Sequence, residues 1–177
     1  MLPTHLFTIG HSTQTSDAFC EQLAARDIVT LADIRSIPGS NRNPQFHAQN
    51  LSRALAEVGI DYVHLAALGG RRNRRPDVDA ALNAAWRNRS FRNYADYALT
   101  DEFADGLAGL FELDGPVAYM CAEAVPWRCH RTIVSDHVVA RGHAVTHLMG
   151  TTVTEHRLGA WGPEPVVAGT SVTYPVI

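Results

Sequence analysis

The chain has 177 residues, 46% of them hydrophobic and 19% charged, with a net charge of −3 when histidine is neutral. That is the length of one ordinary domain with ample material for a core, and it excludes a disordered chain. The slight acidity argues against a globally basic nucleic-acid binder, and no apolar run approaches the roughly 20 residues of a membrane-spanning helix.

In chain order, residues 6–10 are a short apolar run that predicts a first strand ending at His11 and Ser12. Residues 13–27 carry Phe19 and Leu23 at helical spacing behind a Thr or Ser cap. Residues 28–34, apolar and β-branched, predict a buried strand ending in Asp33-Ile34-Arg35. A turn-rich loop over 36–44 leads to a helix at 48–58, stopped by Gly59. A third strand is expected at 62–68, closed by Gly69-Gly70.

Residues 71–90 are rich in arginine and include an alanine-rich stretch of helical character. Residues 91–113 place Tyr94, Tyr97, Phe103, Leu107 and Leu110 at spacings that fit one or two helices. A fourth strand is expected at 117–121, a helix at 126–141 with Pro126 at its first position, and a fifth strand at 144–149. Residues 150–177 hold four Gly and three Pro without a clear period, the pattern of an extended arm or a short hairpin.

Strands alternating with helices predict an α/β fold of three layers, α/β/α, with a mainly parallel sheet of about five strands. A closed barrel would need about eight such units in ~250 residues. Residues 1–150 read as a single α/β domain, and 151–177 as a C-terminal arm or an extension of the same domain.

In an open parallel sheet the loops after the strands gather at one edge, where ligands bind. The strand ends deliver His11 and Ser12; Asp33 and Arg35 with Arg42 beyond; Gly69 and Gly70 with Arg71 and Arg72; Cys121, Glu123 and the start of Pro126-Trp127-Arg128-Cys129-His130-Arg131; and His147. In the helix after the fourth strand, Val134 and Val138 mark the buried stripe, and four residues back lies His130. His130 should therefore face the sheet, with Arg131 nearer the cleft mouth. A helix N-terminus lowers the pKa of a nearby thiol and favours an anion, so Cys121 is the expected nucleophile. Each residue also has a plain packing role open to it. Cys121 suits a small buried strand end, Cys129 lines up with the buried Ile133, His130 can simply pack, His11 can cap a helix, and Arg35 can pair with Asp33.

Composition narrows the chemistry further. Lysine is absent and all 15 basic side chains are arginine, which removes Schiff-base chemistry, a lysine base and the Gly-Lys-Ser/Thr phosphate loop. The three cysteines, an odd number without the spacing of a small secreted domain, and an N-terminal stretch that does not read as a signal peptide both predict a reduced, cytoplasmic protein.

Five blocks follow one another: Ile9-Gly10-His11-Ser12; Ala32 to Pro38 with Phe46 downstream; Leu68-Gly69-Gly70; Met120-Cys121-Ala122-Glu123; and Cys129-His130-Arg131. Together they resemble the domain of unknown function 488 family, over about residues 7–148. The resemblance implies a small bacterial or archaeal cytoplasmic protein. It marks His11, Ser12, Asp33, Arg35, Pro38, Gly69, Gly70, Cys121, Glu123, Cys129, His130 and Arg131 as signature positions, and it implies no particular activity.

The expectation is an enzyme acting on a small anionic substrate, nucleotide-like or a simple phosphate or carboxylate. Arg35, Arg42 and Arg131 would hold the anion bidentately, with Ser12, Asp33, Gly69 and Gly70 beside it. Cys121 would attack, His11 or His130 would move protons, and Glu123 would orient a histidine. Two alternatives stay open. Cys121, Glu123, Cys129, His130 and His11 are a possible ligand set for zinc or iron. The arginines from Arg71 to Arg92, interleaved with Trp86, Phe91 and Tyr94, have the makeup of a nucleic-acid-binding surface or of a solvated face. No membrane partner is expected, and neither a cofactor nor an oligomeric state follows from the sequence.

Overall fold

A computed structural model describes residues 5–39 and 41–177. In chain order it contains β1 (His5–Gly10), α1 (Ser16–Ala24), β2 (Thr30–Asp33), α2 (Ala48–Glu57), β3 (Asp61–His64), α3 (Arg89–Tyr97) and α4 (Asp101–Phe111). Then come β4 (Val117–Cys121), α5 (Arg131–Ala140), β5 (Ala144–Met149), β6 (Thr152–Glu155) and the hairpin β7 (Val166–Ala168) and β8 (Ser171–Thr173). The main sheet runs β3-β2-β4-β1-β5-β6. Its first five strands are parallel, and β6 pairs antiparallel with β5. The fold is thus the expected three-layer α/β/α arrangement. Its sixth strand comes from the C-terminal segment, whose first residues turn back after Gly150 and add an edge.

Strand alternation divides the core between two faces. Ile9, Leu31, Ala118, Met120 and Leu148 meet Phe19 and Leu23 of α1 and Leu51 and Leu55 of α2. Leu6, Ala32, Val117, Tyr119 and Val145 meet Tyr94, Phe103 and Leu107 of α3 and α4, and Val134 and Val138 of α5. Every residue of β2 and β4 is buried, as expected for inner parallel strands covered on both sides. Val172 and Tyr174, near the C-terminus, are fully buried in the second of these clusters. Among the described residues no helix is long and apolar enough to cross a membrane.

Three segments depart from the expected outline. The third strand stops at His64, and residues Ala66–Leu68 form one tight 3₁₀ turn that buries Leu68. The alanine-rich stretch before Arg89 is a series of turns, not a helix. There Asp79 accepts the Ala81 N–H (2.9 Å), Ala85 N–H donates to the Tyr174 carbonyl (3.0 Å), and the buried Asn83 side chain donates to Asp96 (2.7 Å). The first two spend backbone N–H groups that a helix would need, and the third ties Asn83 to α3. Finally, Pro126–Arg128 is a single 3₁₀ turn, Cys129 is extended (φ −133°, ψ 150°), and α5 begins only at Arg131.

Candidate functional site

The C-terminal ends of β1, β4 and β2 open into a cleft of about 1130 Å³. His11, Ser12, Arg35, Arg42 and Gly70 line it, as do Cys121, Glu123 and His130. Asp33, Gly69 and Arg131 do not reach its wall; they stand behind it.

β1 and β4 stay paired past their ends, where His11 N–H donates to the Cys121 carbonyl (3.0 Å) and Ser12 N–H to that of Ala122 (2.9 Å). The His11 ring stacks on Phe46 with centroids 4.4 Å apart. Its Nδ1 lies 2.8 Å from the Ser12 carbonyl oxygen. A carbonyl only accepts, so Nδ1 carries the proton and the Nε2 lone pair faces Arg35 Nη1 at 3.4 Å. Burial first, and the Arg35 charge after it, hold His11 below the ordinary histidine pKa, so its neutral form is favoured.

Asp33 closes β2 and is fully buried. It takes Arg35 Nε at 2.9 Å and Nη2 at 2.7 Å in a bidentate pair, and the Tyr62 hydroxyl at 2.6 Å. Arg35 Nη2 also donates to the Phe46 carbonyl (2.7 Å). The guanidinium is therefore locked from behind, and Nη1 is the nitrogen it presents to His11 and the cleft. The expected ion pair with Asp33 is present, and one nitrogen of the same side chain is left turned to the cleft.

The glycine pair acts by what it leaves out. A Cβ on Gly69 would run into the Ser36 backbone, and one on Gly70 would sit 3.0 Å from His130 Nδ1. Gly10 likewise has no room for a Cβ, because the Glu123 carbonyl packs against it. Glu123 contributes through that carbonyl, which accepts from Arg131 Nη2 (2.8 Å) and from the Cys121 thiol (3.7 Å). Its carboxylate is on the exposed rim.

His130 Nε2 donates to the Ile34 carbonyl (3.2 Å), which leaves Nδ1 as acceptor 3.4 Å from Cys129 Sγ. Burial holds His130 below the ordinary histidine pKa. Cys129 Sγ also receives the Arg131 backbone N–H at 3.4 Å, at the start of α5. Burial alone would push this thiol up. The neighbouring Cys121 thiol and the Arg131 charge outweigh it, and Cys129 falls below the ordinary thiol pKa. Burial and the adjacent Cys129 push Cys121 up. The helix terminus that was expected to activate Cys121 thus acts on Cys129, which also lines the cleft.

Arg131 is not at the cleft mouth. It is fully buried and runs under the sheet edge, with Nη1 donating to Thr8 Oγ1 at 2.9 Å. The start of α5 explains the difference: the helix begins two residues after the extended Cys129, which turns Arg131 inward and leaves His130 on the cleft side. Among the described residues no carboxylate lies within ion-pair distance of Arg131. Its permanent charge is faced by the two sulfurs.

His147 also leaves the cleft edge to which its strand end would have brought it. It is buried within β5 beside Thr8, whose hydroxyl donates to its Nδ1 (2.6 Å). Arg71, which the end of the third strand delivers, lines the cleft as well, and so does Arg128, which was not put forward as a site residue. The signal for Arg128 lay in its place just before Cys129-His130-Arg131. Of the other arginines in the 71–92 segment, Arg72 stacks on Tyr97 at 3.7 Å, Arg75 pairs with Asp77, and Arg92 donates to the Ala80 carbonyl. Among the described residues, no three His, Cys, Asp or Glu side chains are gathered as a metal-holding group; the His11 and His130 ring nitrogens face separate partners, and Glu123 is exposed.

A family model described as domain of unknown function DUF488 matches residues 15–138. No curated protein and no solved structure matches the chain.

Proposed function

The chain belongs to the DUF488 family, whose name carries no activity, and we propose from the chemistry of its cleft that it is a thiol-dependent enzyme acting on a small anionic substrate. One observation carries this reading: Arg35, Arg42, Arg71 and Arg128 share a cleft with Cys129 and His130, and Glu123 is the one carboxylate among the described residues that line it. Guanidinium groups pair with phosphate or carboxylate oxygens, and a cleft of this size takes a ligand up to a nucleotide.

Cys129 is the nucleophile. His130 Nδ1 accepts its proton, and the Arg131 charge and N–H stabilise the thiolate. His11 presents an unprotonated Nε2 beside Arg35 and serves as the second proton-transfer group on the opposite wall. Cys121, set as the attacking thiol by its position alone, becomes the protonated neighbour that biases the ionisation of Cys129. Phe91, Asn88 and Ser90 bring part of the arginine-rich segment to the same cleft, which favours a nucleotide-like substrate over a bare inorganic anion.

Calorimetry with inorganic phosphate, pyrophosphate and adenosine monophosphate tests this, together with iodoacetamide alkylation of Cys129 at neutral pH. At least one of these anions should bind and slow the alkylation. Arg128→Ala should weaken that binding roughly tenfold, the value of one charge-assisted hydrogen bond. An inert Cys129, or an alkylation rate indifferent to all three anions at low salt, overturns the reading.

A further inference from the structure

Two thiols share this cleft, and an attack by Cys129 leaves the second without a part. Cys121 ends β4 and Cys129 lies just before α5, joined by the loop that carries the Pro126–Arg128 turn. Both residues line the same cleft, and each lies close enough to alter the other's ionisation. The third cysteine, Cys20, is far from them in kind and place. It is buried in the α1–α2 cluster among Phe19, Leu23 and Leu55, outside the cleft.

The two cleft thiols have unequal surroundings. Cys129 receives the Arg131 N–H and faces His130 Nδ1, both at 3.4 Å. Cys121 gives its proton to the Glu123 carbonyl at 3.7 Å, the carbonyl that Arg131 Nη2 also holds. One sulfur is therefore set up to attack as a thiolate, and the other waits beside it as a protonated thiol. That asymmetry is what a dithiol needs to reduce a peroxide, since the attacking sulfur must be ionised and the second must arrive later to resolve the product.

We propose that Cys129 and Cys121 form a two-electron redox pair that reduces a hydroperoxide and closes to a disulfide. This rests on the reading of Cys129 as the reactive thiol. In the first step the Cys129 proton passes to His130 Nδ1, the thiolate attacks the terminal oxygen of ROOH, an S–O bond forms and the O–O bond breaks. The leaving RO⁻ takes the proton from His130 and departs as ROH, leaving a sulfenic acid on Cys129. In the second step the Cys121 sulfur attacks Cys129 Sγ, the S–S bond forms and the S–O bond breaks. The hydroxide leaves as water with the Cys121 proton. The hydroperoxide is reduced, the dithiol is oxidised, and an added dithiol such as dithiothreitol reopens the pair.

The test treats the full-length protein with hydrogen peroxide and reads intact mass, free thiols and cross-linking. The expected product is a monomer lighter by two hydrogens, with Cys20 as its one remaining thiol, restored by dithiothreitol. Cys129→Ser should slow peroxide consumption at least roughly tenfold. Cys121→Ser, checked for native circular dichroism, should stop at a Cys129 sulfenic acid that dimedone traps. Three persistent thiols, or a disulfide joining two chains, overturn the redox pair. If Cys129 still alkylates with iodoacetamide at neutral pH in that case, the anion-directed reading stands without it; if Cys129 is inert to both reagents, both fail together.

Discussion

Arg131 is a cation that cannot shed its proton, held in the interior with Thr8 and the Glu123 carbonyl as hydrogen-bond partners and without a carboxylate against it. A buried charge is tolerated when something of opposite sign faces it; two thiols face this one, and Cys129 is the one whose pKa is lowered. The dependence runs both ways, so Arg131→Met, which keeps length and loses charge, should raise the Cys129 pKa. The alkylation rate at neutral pH should then fall by about tenfold for each unit of that rise, measured by iodoacetamide kinetics against pH. Arg35 answers to a different logic. Its guanidinium neutralises the fully buried Asp33, so Arg35→Ala strands a carboxylate and should cost about 3–5 kcal/mol in chemical denaturation. Arg128, on the exposed rim, is therefore the arginine whose removal reads out binding without unfolding the sheet edge.

At the scale of elements, the site depends on where α5 begins. An uninterrupted helix from Pro126 would have carried Cys129 within its first turns, with its sulfur alongside Ile133 in the packed stripe. The extended Cys129 breaks that register, and its sulfur takes the first N–H of α5, as an oxygen cap would. On the same face of the sheet, α4 does an ordinary structural job. Thr100 caps it by accepting the Phe103 N–H (3.3 Å), with Asp101 and Glu102 in its first turn. Thr100→Ala should cost about 1 kcal/mol of stability and leave Cys129 alkylation unchanged. An altered alkylation rate would show that α4 reaches the cleft through α3.

Across the whole molecule, one buried chain of hydrogen bonds links the site to the C-terminal segment. Arg131 Nη1 donates to Thr8 (2.9 Å) and Thr8 to His147 Nδ1 (2.6 Å). His147 Nε2 then donates to His156 Nδ1 (2.9 Å), and His156 Nε2 to Asp136 Oδ1 (2.8 Å). Asp136 Oδ2 takes the Tyr174 hydroxyl at 2.6 Å. Each group donates once toward the carboxylate, so the polarity is consistent from guanidinium to Asp136. Asp136→Asn should break that order and cost about 1.5–3 kcal/mol, the value of hydrogen bonds to a charged group, as a lower unfolding midpoint in urea. The buried histidines add a pH dependence. Burial pulls His147 down to about 2 and His137 to about 3, from 6.5. Between those values and 6.5 the unfolded chain binds protons that the folded chain refuses, so stability is complete above about 6.5 and drains away as pH falls. Thermal unfolding followed from about pH 7 to about pH 4 should show a steadily falling Tm.

Chain order and period carry most of the architecture. Leu6 to Gly10, Ile28 to Ile34 and Val117 to Cys121 are apolar runs bounded by turn residues, and helical spacing separates them. A parallel sheet was therefore legible, and with it the edge at which His11, Arg35 and Cys121 meet. The glycine-poor turns before Arg89 were not legible, because Asn83 and Ala85 find their partners in Asp96 and Tyr174, far along the chain. The sixth strand likewise appears only once Thr152 to Glu155 have β5 to pair with. Sequence by itself determined which strand ends meet at the sheet edge and the pool of groups they offer, since strand ends follow from local pattern. Which thiol is favoured as a thiolate, which arginine is buried and which histidine leaves the cleft were decided by the tertiary structure, because burial and charge act through neighbours in space and not along the chain.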